Sequence, residues 1–133
     1  MRPIAVLGDQ IPNSPSPLVP AVVYGDLIFV SGQLGRDPAS GAIVEGGFEE
    51  QARRTMDNLA LVLEESGSSI DRVLKTTCFL TDIGDLARFN AVYASYFAHW
   101  QPARSTVAVA GLAGNALVEV EAVAVRLKGA DSS

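Results

Sequence analysis

The chain has 133 residues, 48% of them hydrophobic and 19% charged, with a formal charge of −5 and one cysteine. That is enough apolar material for one hydrophobic core and too much for a disordered chain. An acidic balance without a Lys/Arg cluster argues against binding a phosphate backbone, and a lone cysteine excludes an intrachain disulfide.

Met1 to Asp9 hold one arginine and an apolar stretch too short for a secretory signal, and the longest apolar run, Ala21 to Val30, is interrupted by Asp26. A single soluble, cytoplasmic domain over residues 1–133 with no membrane contact is therefore expected. Asn13-Ser14-Pro15-Ser16-Pro17 and Pro20 predict an extended, non-helical lead-in. Ala21 to Tyr24 and Leu27 to Val30, joined by Gly25-Asp26, read as a hairpin, and Asp37 to Gly41 as a further turn. From Phe48 to Ser66 the apolar residues Phe48, Ala52, Met56, Leu59 and Leu63 recur at three- and four-residue spacing, which predicts a helix stopped at Gly67. Val73 to Thr81 is rich in β-branched residues and reads as a strand. A second helix is expected from about Asp85 to Ala98, with Leu86, Phe89, Val92, Tyr93 and Phe97 on one side. Ala103 to Ala110 and Leu117 to Leu127 predict two closing strands joined by the turn Gly111 to Asn115.

That order is an α+β sandwich. Two helices cover about one face of such a sheet, yet the last strand carries Val118, Val120, Ala122 and Ala124 on one parity and Leu117, Val123 and Val125 on the other. A sheet apolar on both faces needs a second cover, and a symmetric homo-oligomer is the simplest.

One histidine (His99), one cysteine and no paired spacing leave no metal cluster of usual type. His99 reads as a residue at a helix C-terminus, and Cys78 as core packing. Ser31-Gly32-Gln33-Leu34-Gly35 and Gly111 to Gly114 lack phosphate-loop spacing; they read as strand ends and turns, with Gly32 open to close approach by a ligand. Arg104 opens an apolar strand, and alternation places it with Thr106 and Ala108 on one face. An arginine there is costly unless paired. Two readings stand side by side: a salt bridge to Glu119 or Glu121 in the neighbouring strand, or bidentate capture of a ligand carboxylate. Glu119 and Glu121 share one face of their strand, and whichever is partly buried is expected to have a raised pKa and to handle protons.

Ile28-Phe29-Val30-Ser31-Gly32-Gln33, Asp57-Asn58-Leu59, Val73 to Asp82, Phe89-Asn90-Ala91-Val92-Tyr93, Pro102-Ala103-Arg104-Ser105 and Val118-Glu119-Val120-Glu121-Ala122 together resemble the RidA/YjgF family in order and spacing, from about Pro15 to Arg126. The resemblance implies a chorismate-mutase-like α+β fold, a mixed sheet of about six strands with two helices packed on one face. It implies a homotrimer with its clefts between subunits. The implied activity is hydrolysis of reactive enamines and imines, such as 2-aminoacrylate, to a 2-keto acid and ammonia without a cofactor. By position, Arg104 would hold the substrate carboxylate and Glu121 would position water and shuttle protons. Ser31 and Gly32 would line the pocket, and Asn90 would help shape it.

Two positions depart from the family pattern. Leu18 stands where a tyrosine is common, and Thr106 where a cysteine is common. Both would touch the substrate, and together they imply a wider, more apolar pocket. They also motivate a second function, a non-catalytic ligand-binding or regulatory trimer. A catabolic deaminase acting on an aminomuconate-like compound is a third. Ribonuclease activity, a label some family members carry, is disfavoured by the acidic chain, the missing basic patch and the lone histidine.

Overall fold

Six strands form one sheet in the computed structural model, which describes residues 1–7 and 16–127. The elements in chain order are β1 (Ile4–Val6), β2 (Ala21–Tyr24), β3 (Leu27–Leu34), α1 (Phe48–Glu65), β4 (Val73–Leu80), α2 (Leu86–Tyr96), β5 (Ala103–Ala108) and β6 (Val118–Val125). Their spatial order is β1-β2-β3-β6-β4-β5, antiparallel throughout except for the parallel β4–β5 pair. A parallel pair cannot be closed by a tight turn, and α2 supplies the crossover it needs.

The β2–β3 hairpin forms as the Gly25-Asp26 pair predicts, with Tyr24 opposite Leu27. Of the Pro-rich lead-in, Asn13 to Pro15 lie outside the described residues; Ser16 to Pro20 are bends and irregular chain. β1 has no counterpart in the sequence reading. It is three residues long, with Ile4 and Ala5 exposed, and offers no alternation to detect.

The expectation that the last two strands are neighbours is wrong. β4 lies between β5 and β6, pairing with one on each side. Its dense β-branched sequence suits a strand with no free edge.

The five apolar positions predicted for α1 are all buried, as are Phe89, Val92, Tyr93 and Phe97 on and just beyond α2. They pack on one face of the sheet, against Val118, Val120, Ala122 and Ala124 of β6 and Val73, Thr76, Cys78 and Leu80 of β4. An aromatic row runs through this layer, with ring centres 6.5 Å apart for Phe48–Phe89, 5.5 Å for Phe89–Tyr93 and 4.6 Å for Tyr93–Phe97. Three contacts lock α1 to the sheet. A β-carbon at Gly35 would stand 2.7 Å from the Gln51 carbonyl oxygen, so only glycine allows this approach. Asn58 donates from Nδ2 to the carbonyls of Leu34 and Arg36, both at 2.9 Å. Gln51 Oε1 accepts from the Leu117 amide at 2.9 Å.

The other face of the sheet is open. Leu27, Phe29 and Val107 are exposed on it, and Phe79, Val123 and Val125 are half-buried. No helix of the described residues is long and apolar enough to cross a membrane.

Candidate functional site

β3 and β6 pair without interruption from Leu27↔Val125 to Val30↔Ala122, and the register resumes at Gln33↔Val120. Two residues, Ser31 and Gly32, therefore stand opposite the single residue Glu121. This is a β-bulge, a device that redirects side chains at the cost of one ladder step. Ser31 is tied down by its amide to the Pro20 carbonyl at 2.9 Å and by its hydroxyl to the Val19 carbonyl at 2.6 Å. The Gln33 side chain donates to the Ser31 carbonyl at 3.0 Å. Leu18 precedes Val19 and is exposed, its amide bonded to the Ser16 carbonyl.

Glu119 and Glu121 share the open face of β6, as alternation predicts. Glu121 is exposed, while Glu119 is half-buried and lies against Gly32, where any β-carbon would overlap its carboxylate. Burial first, and the Glu121 charge second, raise the Glu119 pKa above the usual carboxylate range. The partly buried carboxylate anticipated from the sequence is thus Glu119, whereas the resemblance points to Glu121.

Arg104 sits on the edge strand β5. In the parallel β4–β5 register it is opposite Thr76, and Thr106 is opposite Cys78. Thr76 and Cys78 are buried in the core on the helix-covered face, Thr76 bonded to Tyr93 of α2, so Arg104 and Thr106 share that side of the sheet. The Arg104 Cζ lies 4.8 Å from the Tyr93 ring centre and 5.8 Å from that of Phe89. The Tyr93 hydroxyl is 2.6 Å from Thr76 Oγ1, which fixes the ring beneath the guanidinium. Burial raises the Tyr93 pKa, opposed by the Thr76 hydrogen bond and the Arg104 charge. Burial likewise pushes the Cys78 thiol up to about 11, which keeps it protonated and agrees with a packing role. Thr106 Oγ1 is buried without a hydrogen bond of good geometry, although it lies near enough to the Cys78 thiol to temper that rise. Asn90 is exposed on α2, directly after Phe89.

The salt bridge from Arg104 to Glu119 or Glu121 does not form. β4 separates their strands and the glutamates occupy the opposite face. Among the described residues the ion pairs are Glu49–Arg53 and Asp85–Arg88. His99 lies beyond the end of α2 and is exposed, so it does not occupy the helix's last turn. No three His, Cys, Asp or Glu side chains of the described residues gather closely enough to hold a metal ion.

The candidates thus fall into two groups. Leu18, Ser31, Gly32 and Glu121 lie at the bulge and the open face. Arg104 and Thr106 lie on the helix-covered side of β5, and Asn90 follows Phe89 on α2. Thr77 of β4 is opposite Glu121 on one side and Ser105 on the other, which puts Glu121 and Ser105 two strand spacings apart, about 10 Å. Within one chain the two groups do not converge. A depression of about 270 Å³, lined by Ile4, Val6, Val23, Glu64, Gly67 and Arg126, lies elsewhere and holds none of them. Nothing in the sequence marks Phe89, Tyr93 and Thr76 as site residues. The two aromatics showed only the four-residue spacing of a helix face, which reads as core packing.

Residues 9–126 match the family model described as Endoribonuclease L-PSP. A protein of Lactococcus lactis named as a regulator, AldR, is 42% identical over 124 residues, covering 93% of this chain and 97% of the relative. The bovine 2-iminobutanoate/2-iminopropanoate deaminase is 41% identical over 117 residues, covering 88% of this chain and 85% of the relative. The crystal structure of E. coli TdcF with bound serine superimposes with a TM-score of 0.87 at 33% identity, covering 93% of this chain and 99% of that one. The six-stranded sheet with two helices is the fold of these neighbours.

Proposed function

This chain belongs to the endoribonuclease L-PSP family, the RidA/YjgF proteins, and from that premise we propose that it hydrolyses reactive 2-imino and 2-enamino acids to a 2-keto acid and ammonia. The deaminase name carried by relatives at about this identity supports imine chemistry. The observation that carries the finer reading is the seat of Arg104. The half-buried Arg104 rests on two aromatic rings and, among the described residues, on no carboxylate, so its forked donors are available to a ligand acid.

In this reading Arg104 holds the substrate carboxylate by two parallel hydrogen bonds. The imine carbon is already electrophilic, so orientation, a water and proton management suffice, and the reaction calls for no cofactor. Glu121 positions the water and takes its proton as oxygen adds to the carbon. Glu121 returns that proton to the imine nitrogen, which completes the carbinolamine, and then relays the hydroxyl proton to the same nitrogen; the C–N bond breaks, ammonia leaves, the C=O of the 2-keto acid forms and the carboxylate is regenerated. Ser31 and the Gly32 backbone line the cleft, Asn90 shapes it, and Leu18 and Thr106 set its width and polarity.

Arg104 and Glu121 lie on opposite faces of one sheet, so a single chain does not present both to one small substrate. We place the cleft between copies in a homotrimer, where the β5–α2 edge of one subunit meets the open face of the next. The apolar residues Leu27, Phe29 and Val107 on that face supply the contact surface.

The test is release of 2-keto acid from imines generated freshly by an amino-acid oxidase. Acceleration by the protein, lost on Arg104→Ala with the fold intact, is expected; undiminished turnover in that variant refutes the assignment. A regulatory ligand-binding role is the second reading, favoured by Leu18, Thr106 and the relative named as a regulator. Tight carboxylate binding with no acceleration on small, branched or aromatic imines would select it.

A further inference from the structure

We infer that Tyr93 and Phe89 are positioning residues for Arg104: a cation–π seat, braced by Thr76, that holds the guanidinium ready for a carboxylate and thereby sets substrate affinity. The inference rests on the reading of Arg104 as the carboxylate anchor and asks what keeps that anchor in place.

Arginine carries several rotatable bonds, and on an edge strand it would sample many directions. A neighbouring carboxylate could hold it, but that carboxylate would compete with the ligand for the same donors. Ring faces hold a cation without using its N–H groups. Here the Arg104 Cζ is 4.8 Å from the Tyr93 centroid and 5.8 Å from that of Phe89, both within cation–π range. The rings are themselves held by their surroundings. Phe89 is fully buried, and its centre is 5.5 Å from that of Tyr93. The Tyr93 hydroxyl is bound to Thr76 Oγ1 at 2.6 Å, and Thr76 is the β4 residue opposite Arg104. Strand, ring and guanidinium therefore form a closed triangle. The Thr76–Tyr93 bond fixes the ring plane, the ring plane fixes the cation, and the β4–β5 register fixes the Arg104 backbone over both. Losing the seat costs affinity, because a mobile arginine must be ordered again on each binding event.

The seat predicts a division of effects that a packing role does not. Weakening it raises KM and the Kd for a non-reacting carboxylate, while kcat on bound substrate changes little. The experiment replaces Tyr93 by phenylalanine, 3,4,5-trifluorophenylalanine and leucine. Fluorination drains the ring face of electron density at nearly constant shape. Calorimetry with 2-oxobutanoate gives Kd, turnover of the imine of alanine gives KM and kcat, and thermal unfolding monitors the fold. Tyr93→Phe keeps the ring face but loses the Thr76 brace, so it is the reference against which the fluorinated and leucine variants are compared. The trifluorinated ring and Tyr93→Leu are expected to raise Kd and KM by about threefold to thirtyfold, the range that cation–π energies convert to. A flat response across the phenyl and trifluorophenyl pair, with Arg104→Ala abolishing binding, overturns the seat and leaves the anchor reading intact. Parent-like binding by Arg104→Ala overturns both.

Discussion

Arg104 and Glu121 are separated by one strand and by the thickness of the sheet. Thr77 of β4 pairs with Glu121 on one side and with Ser105, the residue after Arg104, on the other, yet the two charged side chains leave on opposite faces. A site that uses both must be assembled from two chains. Arg104→Ala and Glu121→Gln, each inactive alone, are therefore expected to recover activity when unfolded together and refolded as mixed oligomers. Random mixing at equal amounts leaves about a quarter of the interfaces with both groups intact. Keto-acid release from the mixture measures this. No recovery from mixed oligomers, verified by mass, would place the two residues in one chain's site or remove one of them from it.

Glu119 and not Glu121 bears the cost of partial burial, and this makes a prediction about stability. A carboxyl whose folded pKa is raised binds protons more readily in the native state than in the unfolded one. Between the two pKa values stability falls as pH rises, and above the folded pKa the whole cost is present. Here the cause is burial first and Glu121 second, and among the described strand residues Lys75 of β4 and Glu121 are the other charged groups on this face. Glu119→Gln is therefore expected to raise Tm at neutral pH, with the gain shrinking as the solution is made acidic. Thermal melts of both proteins across the acidic range check the sign. A gain that grows in acid would contradict it.

Gly32 separates a catalytic cost from a folding cost. Its conformation is open to other residues, but a β-carbon would overlap the Glu119 carboxylate, the far end of a flexible side chain. Gly32→Ala should therefore leave stability within about 1 kcal/mol, the glutamate swinging aside and the unfolded chain losing some freedom. Activity should fall by roughly tenfold or more, because the bulge opposite Glu121 is where the cleft is proposed and small misplacements there are costly. Denaturant titration and turnover, measured on the same preparation, check both halves.

The sequence made the helices and most strands visible for a local reason. Phe48, Ala52, Met56, Leu59 and Leu63 repeat with the helix period, and Val118 to Ala124 alternate with the strand period. The strand order was not visible, because pairing is non-local. β5 and β6 follow each other along the chain, but the parallel β4–β5 crossover puts β4 between them. Alternation revealed that Arg104 and Thr106 share a face, and that Glu119 and Glu121 do. It could not reveal that these are different faces of the sheet, since parity within one strand says nothing of parity in another. The bulge at Ser31 and Gly32 was hidden for the same reason, because it exists only relative to β6. The aromatic seat of Arg104 needed the fold as well. Phe89 and Tyr93 meet the guanidinium across more than ten residues of chain, and their spacing signalled only burial.

In the proposed oligomer Phe29 would tie assembly to activity. It is 45% exposed on the open face of β3, opposite Val123 of β6 and Val22 of β2. The hydrophobic core lies on the other side of this sheet, so a charge at Phe29 meets water in the single chain and disturbs little of the fold. In the proposed oligomer it would be buried against a second copy, forfeiting roughly 2 kcal/mol of apolar burial per subunit and adding the penalty of an unpaired charge. Phe29→Glu is therefore expected to yield a folded monomer with an unchanged far-ultraviolet circular dichroism spectrum. Its turnover should be lost even though Arg104, Glu121 and the bulge are all present in the sequence. Sedimentation velocity reports the mass and keto-acid release reports the chemistry. A folded monomer that still turns over imines would mean that one chain suffices, and the inter-subunit cleft would have to be abandoned. A variant that stays oligomeric and active would show that the interface lies elsewhere, and would leave the open face of the sheet without its proposed cover.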